Sequence, residues 1–357
     1  MIKPKALVKG DRVAIVSLSS GLLGEPYAKH QLELGIKRLR DFGLEPVIMP
    51  NALKGIDELQ KHPEWRAEDL KNAFRDPSIK GIICAIGGDD TFRLLPYLME
   101  DEEFVHNVQK TPKLFTGFSD TTINHLMFHR LGMVSFYGPN FLNDLAELGN
   151  ELLPYTKQIF SGYFEGNELE GVPESDYWYE ERSDFSEKAL GSERLKHKEA
   201  HGIEVLQGKG KVSGKLLGGC LESLVDCLVG ERYAEEVETI NRYDIFPSLD
   251  EWKGKLLFLE TSEERPNPDR LRDLLTVLKN YGIFTAVSGV LIGKPQDEAY
   301  IDEYKQVFVE VIADKQLPIL YNLPFGHAYP RCILPYGIEM TVDTQVGSVT
   351  FNESYFL

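Results

Sequence analysis

The chain has 357 residues, of which 42% are hydrophobic and 27% charged. This globular balance can fill a sizeable core, and the length suits two domains better than one. The formal net charge is -17 with no basic stripe, which argues against a nucleic-acid polymer as partner. No apolar run approaches the roughly 20 residues of a membrane span, so no membrane partner is expected.

Residues 1–10 are short and basic, and the apolar run 13–18 is only strand-length. No signal peptide is expected, and the chain reads as soluble and cytoplasmic. The run 13–18 closes on Ser-Ser-Gly, a strand followed by a turn. Helical spacing over 27–42 places Leu32, Ile36 and Leu39 on one face, and Gly43 stops it. A strand at 44–49, a helix at 67–74 and a fully apolar strand at 81–86 follow. That strand ends in Gly87-Gly88, and 91–99 reads as the next helix. The acidic run Asp101-Glu102-Glu103 reads as a solvated face. A strand at 113–118, a helix at 121–131 and a strand at 133–137 complete the half. Repeated β-α units predict a doubly wound, mostly parallel sheet, with ligands beyond the carboxyl ends of its strands.

The pattern then turns polar. Residues 166–204 read as a linker and a long loop bearing Tyr177-Trp178-Tyr179 and Phe185. A smaller C-terminal α/β domain spans 205–357: 211–217 leads into Gly218-Gly219 and a helix, followed by strands near 255–259, 287–292 and 319–321 and helices at 269–281 and 303–312. The fold class is thus α/β. An N-terminal domain over 1–165 joins the second α/β domain, with the active site expected in the cleft between them.

Ser119 lies between an apolar strand and a helix, in Gly117-Phe118-Ser119-Asp120-Thr121. A serine on such a turn has the setting of a nucleophile elbow, where the helix N-terminus favours developing negative charge. Ser119 and Asp120 also suit plain helix capping, and Thr121 stands where the usual elbow motif has glycine. An oxyanion hole needs two donors. The backbone N–H groups of Asp120 and of the Gly87-Gly88 turn are candidates, although the glycines also suit an ordinary turn. A serine needs a base. Of the eight histidines, His30, His62, His106, His197 and His201 sit in polar surroundings. His125 and His129 share a helix face at zinc-like spacing but lack partner ligands, so no metal site is expected. His327 follows a strand in the Gly/Pro-punctuated loop 324–330, a place for a catalytic residue or for a turn histidine. Glu260 ends the strand Lys-Leu-Leu-Phe-Leu-Glu and could orient the base, with Glu263 and Glu264 as competitors. The four cysteines, Cys84, Cys220, Cys227 and Cys332, are dispersed and read as reduced thiols, Cys84 as a small buried hydrophobe.

Gly117-Phe118-Ser119-Asp120-Thr121-Thr122, Gly87-Gly88, Gly218-Gly219-Cys220-Leu221, Leu259-Glu260 and Gly326-His327 together resemble the LD-carboxypeptidase and microcin C immunity protein (MccF) family. The resemblance runs from about residue 5 to residue 350. It implies a serine peptidase with the triad Ser119, His327 and Glu260, and oxyanion donors at Asp120 and Gly88. It also implies no cofactor, a cytoplasmic location and a homodimer. Two departures stand out. Asp89-Asp90 follows the glycine pair where the LD-carboxypeptidase branch has Tyr-Gly, and Cys220 stands where the family often has Asn. With the aromatic-bearing loop, the first departure favours the MccF branch. The expected substrate is then a small peptidyl-nucleotide, contacted by Gly87, Asp89, Trp178 and Phe185. The murein tetrapeptide of the other branch is the alternative. A non-catalytic small-ligand binding protein, in which Ser119 only hydrogen-bonds a ligand, is the reading from another class.

Overall fold

Five apolar segments form parallel strands because each is too short for a helix and ends on a polar or glycine turn. They are β1 (Arg12–Val16), β2 (Glu45–Ile48), β3 (Ile79–Cys84), β4 (Leu114–Gly117) and β5 (Phe136–Tyr137). Their spatial order is β5-β4-β3-β1-β2. The chain leaves β1 toward one edge and returns to β3 on the other side, so the switch point lies between β1 and β3. Ligand crevices in open α/β sheets form at such points. Val13, Ala14, Ile15 and Val16 are fully buried, as a strand covered on both faces requires. The computed structural model describes all residues 1–357.

The helix Pro63–Arg75 is longer than the predicted 67–74 segment. The acidic run at 101–103 starts a helix, Glu102–Lys110, whose N-cap Asp101 accepts the N–H of Phe104 at 2.9 Å. Carboxylates there complement the helix dipole, and the exposure expected of them follows from that position. A helix at Pro154–Ser161 also escaped the sequence reading.

A second sheet has β9 (Lys211–Cys220), β10 (Leu256–Glu260), β11 (Gly289–Gly293) and β12 (Ile319–Leu323) as its parallel centre. A strand at Glu204–Gln207, β8, pairs antiparallel with β12. The hairpin Glu339–Asp343 and Ser348–Phe351 extends the sheet past β9. The helix Pro268–Tyr281 shows why the predicted helices form here. Asn267 caps it by accepting the N–H of Arg270, Pro268 opens it, and Gly282 ends it in the left-handed conformation. Its leucines 271, 274, 275 and 278 are buried. The two sheets anchor two units. The first comprises Met1–Glu168, Arg182–Arg194 and Tyr355–Leu357; the second comprises Leu169–Glu181 and Leu195–Ser354.

The stretch 166–204, expected as a linker and long loop, contains regular structure. Tyr177–Tyr179 (β6) and Lys196–Lys198 (β7) form an antiparallel ribbon, and 182–194 packs with the first unit. Strands of only three residues, Tyr-Trp-Tyr and Lys-His-Lys, are too short to show an alternation that could be read from sequence.

Candidate active site

In the first unit, Ser119 directly follows β4 and Phe118 and opens a short helical turn. Its φ is 68°, a left-handed conformation that costs a residue with a side chain about 1–3 kcal/mol and persists only where the surroundings impose it. The surroundings are visible. Tyr137 Oη accepts the Ser119 N–H at 3.0 Å, and Thr122 Oγ1 donates to the Ser119 carbonyl at 2.7 Å. His125 buttresses the strand end. Its Nε2–H donates to the Gly117 carbonyl at 2.9 Å, so Nδ1 is the acceptor for the Ser135 hydroxyl at 2.8 Å. Burial pushes this histidine down to about 3. The ring is a neutral structural strut, with both nitrogens engaged.

The glycine pair after β3 closes on this turn. A Cβ at Gly87 would lie 2.7 Å from Ser119 Cβ, 2.9 Å from its Oγ and 3.5 Å from the Asp120 nitrogen. A Cβ at Gly88 would lie 2.2 Å from Ser19 Oγ. Only glycine fits at either place. The Asp120 N–H, in the first turn of its helix, has no acceptor within that helix. Ser119 Oγ, this N–H and the glycine backbone therefore converge on one spot.

Residues from three strand ends lock the arrangement. Ser19 Oγ donates to Asp120 Oδ2 at 2.7 Å, and the Thr91 N–H donates to the same oxygen at 2.9 Å. Burial, with Asp90 nearby, pushes the Asp120 carboxyl up from its usual range. Asp90 is held by Arg66 through two bonds, at 2.5 and 3.0 Å. Arg66 also donates to the carbonyls of Leu18 and Ser19. The Arg66 side chain is fully buried. Of the acidic pair after the glycines, Asp90 is thus structural and Asp89 is exposed.

In the second unit, Glu260 ends β10 and is buried. Its Oε2 accepts both the backbone N–H of His327, at 3.0 Å, and the imidazole Nδ1–H, at 2.8 Å. Gly326 permits this approach: its φ is 92°, and a Cβ there would meet the Glu260 carboxylate at 2.5 Å. Arg331 donates from Nε to the Gly326 carbonyl at 2.5 Å and from its terminal nitrogen to the His327 carbonyl at 2.7 Å. The competition between Glu260 and Glu263 has a geometric answer. Glu260 takes Nδ1, and Glu263 Oε2 stands 2.9 Å from Nε2. Burial disfavours the imidazolium, but Glu260 and then Glu263 outweigh it and raise the His327 pKa well above the ordinary histidine range. Cys220 ends β9 in register with Glu260. Its thiol points to Glu222 Oε2 at 3.4 Å. Glu222 Oε1 in turn accepts from the Ser262 N–H and hydroxyl, at 3.0 and 2.7 Å, which fixes the loop carrying Glu263.

Trp178 and Phe185 have different settings. Trp178 is 9% exposed. Its ring stacks on His197, centroids 4.3 Å apart, with the Lys294 ammonium 5.5 Å from its centroid. Phe185 is 39% exposed, and its carbonyl bonds His30 Nε2 at 3.0 Å. Sequence reasoning missed Arg66, Tyr137 and Glu222.

The two α/β units, with an elbow serine in one and a buried carboxylate–histidine pair in the other, mark a hydrolase of the peptidase class. The chain belongs to the LD-carboxypeptidase family: residues 13–138 match its N-terminal domain and residues 213–342 its C-terminal domain. An MccF-like protein of Streptococcus pneumoniae, solved in complex with AMP, is 49% identical and superposes with a TM-score of 0.92 over 96% of this chain and 99% of that one. The microcin C7 self-immunity protein MccF of Escherichia coli is 26% identical, covering 98% of this chain and 95% of its own. The murein tetrapeptide carboxypeptidase of Pseudomonas aeruginosa is 24% identical, with 91% of each chain covered. No helix is long and apolar enough to cross a membrane.

Proposed function

We propose that the chain is a cytoplasmic, homodimeric serine peptidase that cleaves the amide bond of a peptidyl- or aminoacyl-nucleotide. The observation that carries the chemistry is the 2.8 Å bond from His327 Nδ1 to Glu260, alongside a serine held at an elbow φ of 68°. Glu260 fixes the tautomer in which Nε2 is the basic nitrogen. Nε2 exchanges Glu263 for the Ser119 hydroxyl and takes its proton as Oγ attacks the amide carbon. The resulting oxyanion is received by the N–H groups of Asp120 and Gly88. His327 then returns the proton to the leaving nitrogen, the C–N bond breaks, and an acyl-Ser119 remains. Water, deprotonated by the same nitrogen, releases the acid and restores Ser119.

The nucleotide part of the reading is supported by the AMP held by the 49% identical Streptococcus protein. In this chain Phe185, Trp178, Gly87 and Asp89 are the proposed contacts. The second reading, release of the terminal residue of a murein tetrapeptide, is supported by the Pseudomonas relative. Incubating the enzyme with an aspartyl-adenylate analogue bearing a cleavable amide and, separately, with murein tetrapeptide tests both. Turnover of the tetrapeptide alone would replace the first reading by the second. A fluorophosphonate that fails to label Ser119 would remove the serine mechanism.

A further inference from the structure

We infer that Cys220, Glu260 and His327 form a site for a thiophilic divalent cation such as Zn2+, whose binding disables the histidine. One ligand atom from each, a sulfur, a carboxylate oxygen and an imidazole nitrogen, lie within 4.8 Å of one another. All three residues are buried. This donor set suits tetrahedral zinc, whose bonds of about 2.0–2.3 Å set its ligands about 3.3–3.8 Å apart. The widest separation in the cluster exceeds that span by about 1 Å, and Glu260 and His327, now 2.8 Å apart, part slightly to admit the ion. The ends of the cluster are rigid: Cys220 and Glu260 are register neighbours on β9 and β10, and His327 is tied to Glu260 through two hydrogen bonds. Charge points the same way. Around the thiol stand the carboxylates of Glu222 and Glu260, with Glu263 on the far nitrogen of the histidine. A dication offsets this excess of anionic groups, and water completes a fourth ligand position.

Binding is a ligand exchange without redox change. The thiol loses its proton as the sulfur–metal bond forms, Glu222 being the adjacent acceptor from which the proton passes to solvent. The imidazole coordinates through a lone pair, so any proton on that nitrogen leaves as well. Glu260 then serves the metal, the hydrogen bond that orients His327 is lost, and the base is held on the cation. The chain would work without metal and be inhibited by it. Asparagine at position 220 would supply no thiolate.

The test uses the full-length reduced protein. Cobalt(II) should bind one per chain and give a thiolate-to-metal charge-transfer band in the near ultraviolet, displaced by zinc. Cys220→Ser should abolish that band and raise the zinc Kd at least about tenfold, while Cys227→Ser keeps both. Zinc should inhibit the wild type, and EDTA should restore it. The zinc concentration that halves each protein's own rate should rise at least about tenfold in Cys220→Ser. A band that survives in Cys220→Ser overturns the site. If that variant does not fold, X-ray absorption on the wild-type zinc protein decides: one sulfur at about 2.3 Å supports the site, and a shell of only nitrogen and oxygen overturns it. The cobalt spectrum needs no substrate, so its outcome is independent of whether the proposed hydrolysis is correct.

Discussion

Glu263 Oε2 lies 2.9 Å from Nε2 of His327, the ring nitrogen opposite the one that Glu260 holds. A general base needs that nitrogen unprotonated. Both carboxylates stabilise the imidazolium, so the acid limb of activity should sit above the ordinary histidine range. Removing the Glu263 charge lowers the pKa of His327 and enlarges the neutral fraction at a given pH. Glu263→Gln should therefore move the acid limb of kcat/KM downward by about one pH unit or more. An unchanged limb in a full pH–rate profile would show that Glu263 does not hold the base in solution.

Ser119→Ala should lower kcat by about three orders of magnitude or more while the melting temperature stays near wild type. Residues that act as one unit do not multiply their losses. The double variant Ser119→Ala/His327→Ala should be about as slow as Ser119→Ala alone. Multiplicative losses in steady-state kinetics would argue against a shared mechanism.

Arg66 and Asp90 form a buried pair behind the Gly88 turn. Arg66→Ala leaves the Asp90 carboxylate buried without its partner, a change that costs about 3–5 kcal/mol. The loss should appear as a lower denaturant midpoint. Arg66→Lys should recover only part of it, because an ammonium cannot make the two-pronged contact.

Trp178 and Phe185 should separate. Trp178 is packed on His197, and truncating a buried tryptophan costs about 3–5 kcal/mol. Trp178→Ala should therefore lower the melting temperature of the ligand-free protein. Phe185 is exposed, so Phe185→Ala should leave stability near wild type. If its ring stacks on the base, KM for a peptidyl-adenylate should rise roughly 5- to 150-fold, against little change for a murein peptide. An equal change on both substrates would remove Phe185 from nucleotide recognition.

Much of the fold was legible because its strands are short apolar runs closed by a glycine or polar residue: 81–86 with Gly87-Gly88, 113–118 with Ser119, 255–259 with Glu260. Period and punctuation are local signals. The pairing of Glu260 with His327 was legible through the family resemblance, since the strand end at Glu260 and the loop after β12 left Glu263 and Glu264 open, and the assignment to a particular nitrogen was not legible. What sequence hid depends on contacts far apart in the chain. Ser19 meets Asp120 across 101 positions and Arg66 meets Asp90 across 24. Nothing in Pro63–Arg75 marks Arg66 as buried rather than solvated. Trp178 was hidden for the opposite reason. It lies in an aromatic triplet within a polar stretch, so it read as a substrate contact, and its cover is His197 on the partner strand.

The first unit draws its last three residues from the far end of the chain. Tyr355 Oη donates to the Gly162 carbonyl, the Leu357 N–H donates to the Pro4 carbonyl, and Tyr355 and Phe356 pack on Phe136. Its segment Arg182–Arg194 is likewise inserted between two stretches of the second, with Arg182 and Arg194 both bonded to the buried Glu147. Order of synthesis and order of completion therefore differ. A nascent chain that has emerged as far as residue 168 still lacks the two arginines that neutralise Glu147, and the aromatic seal on β5 must wait for Tyr355 and Phe356. Expressing residues 1–168 alone would leave a charged group buried without its partners and an apolar face uncovered, so the two units are not separable by a single cut.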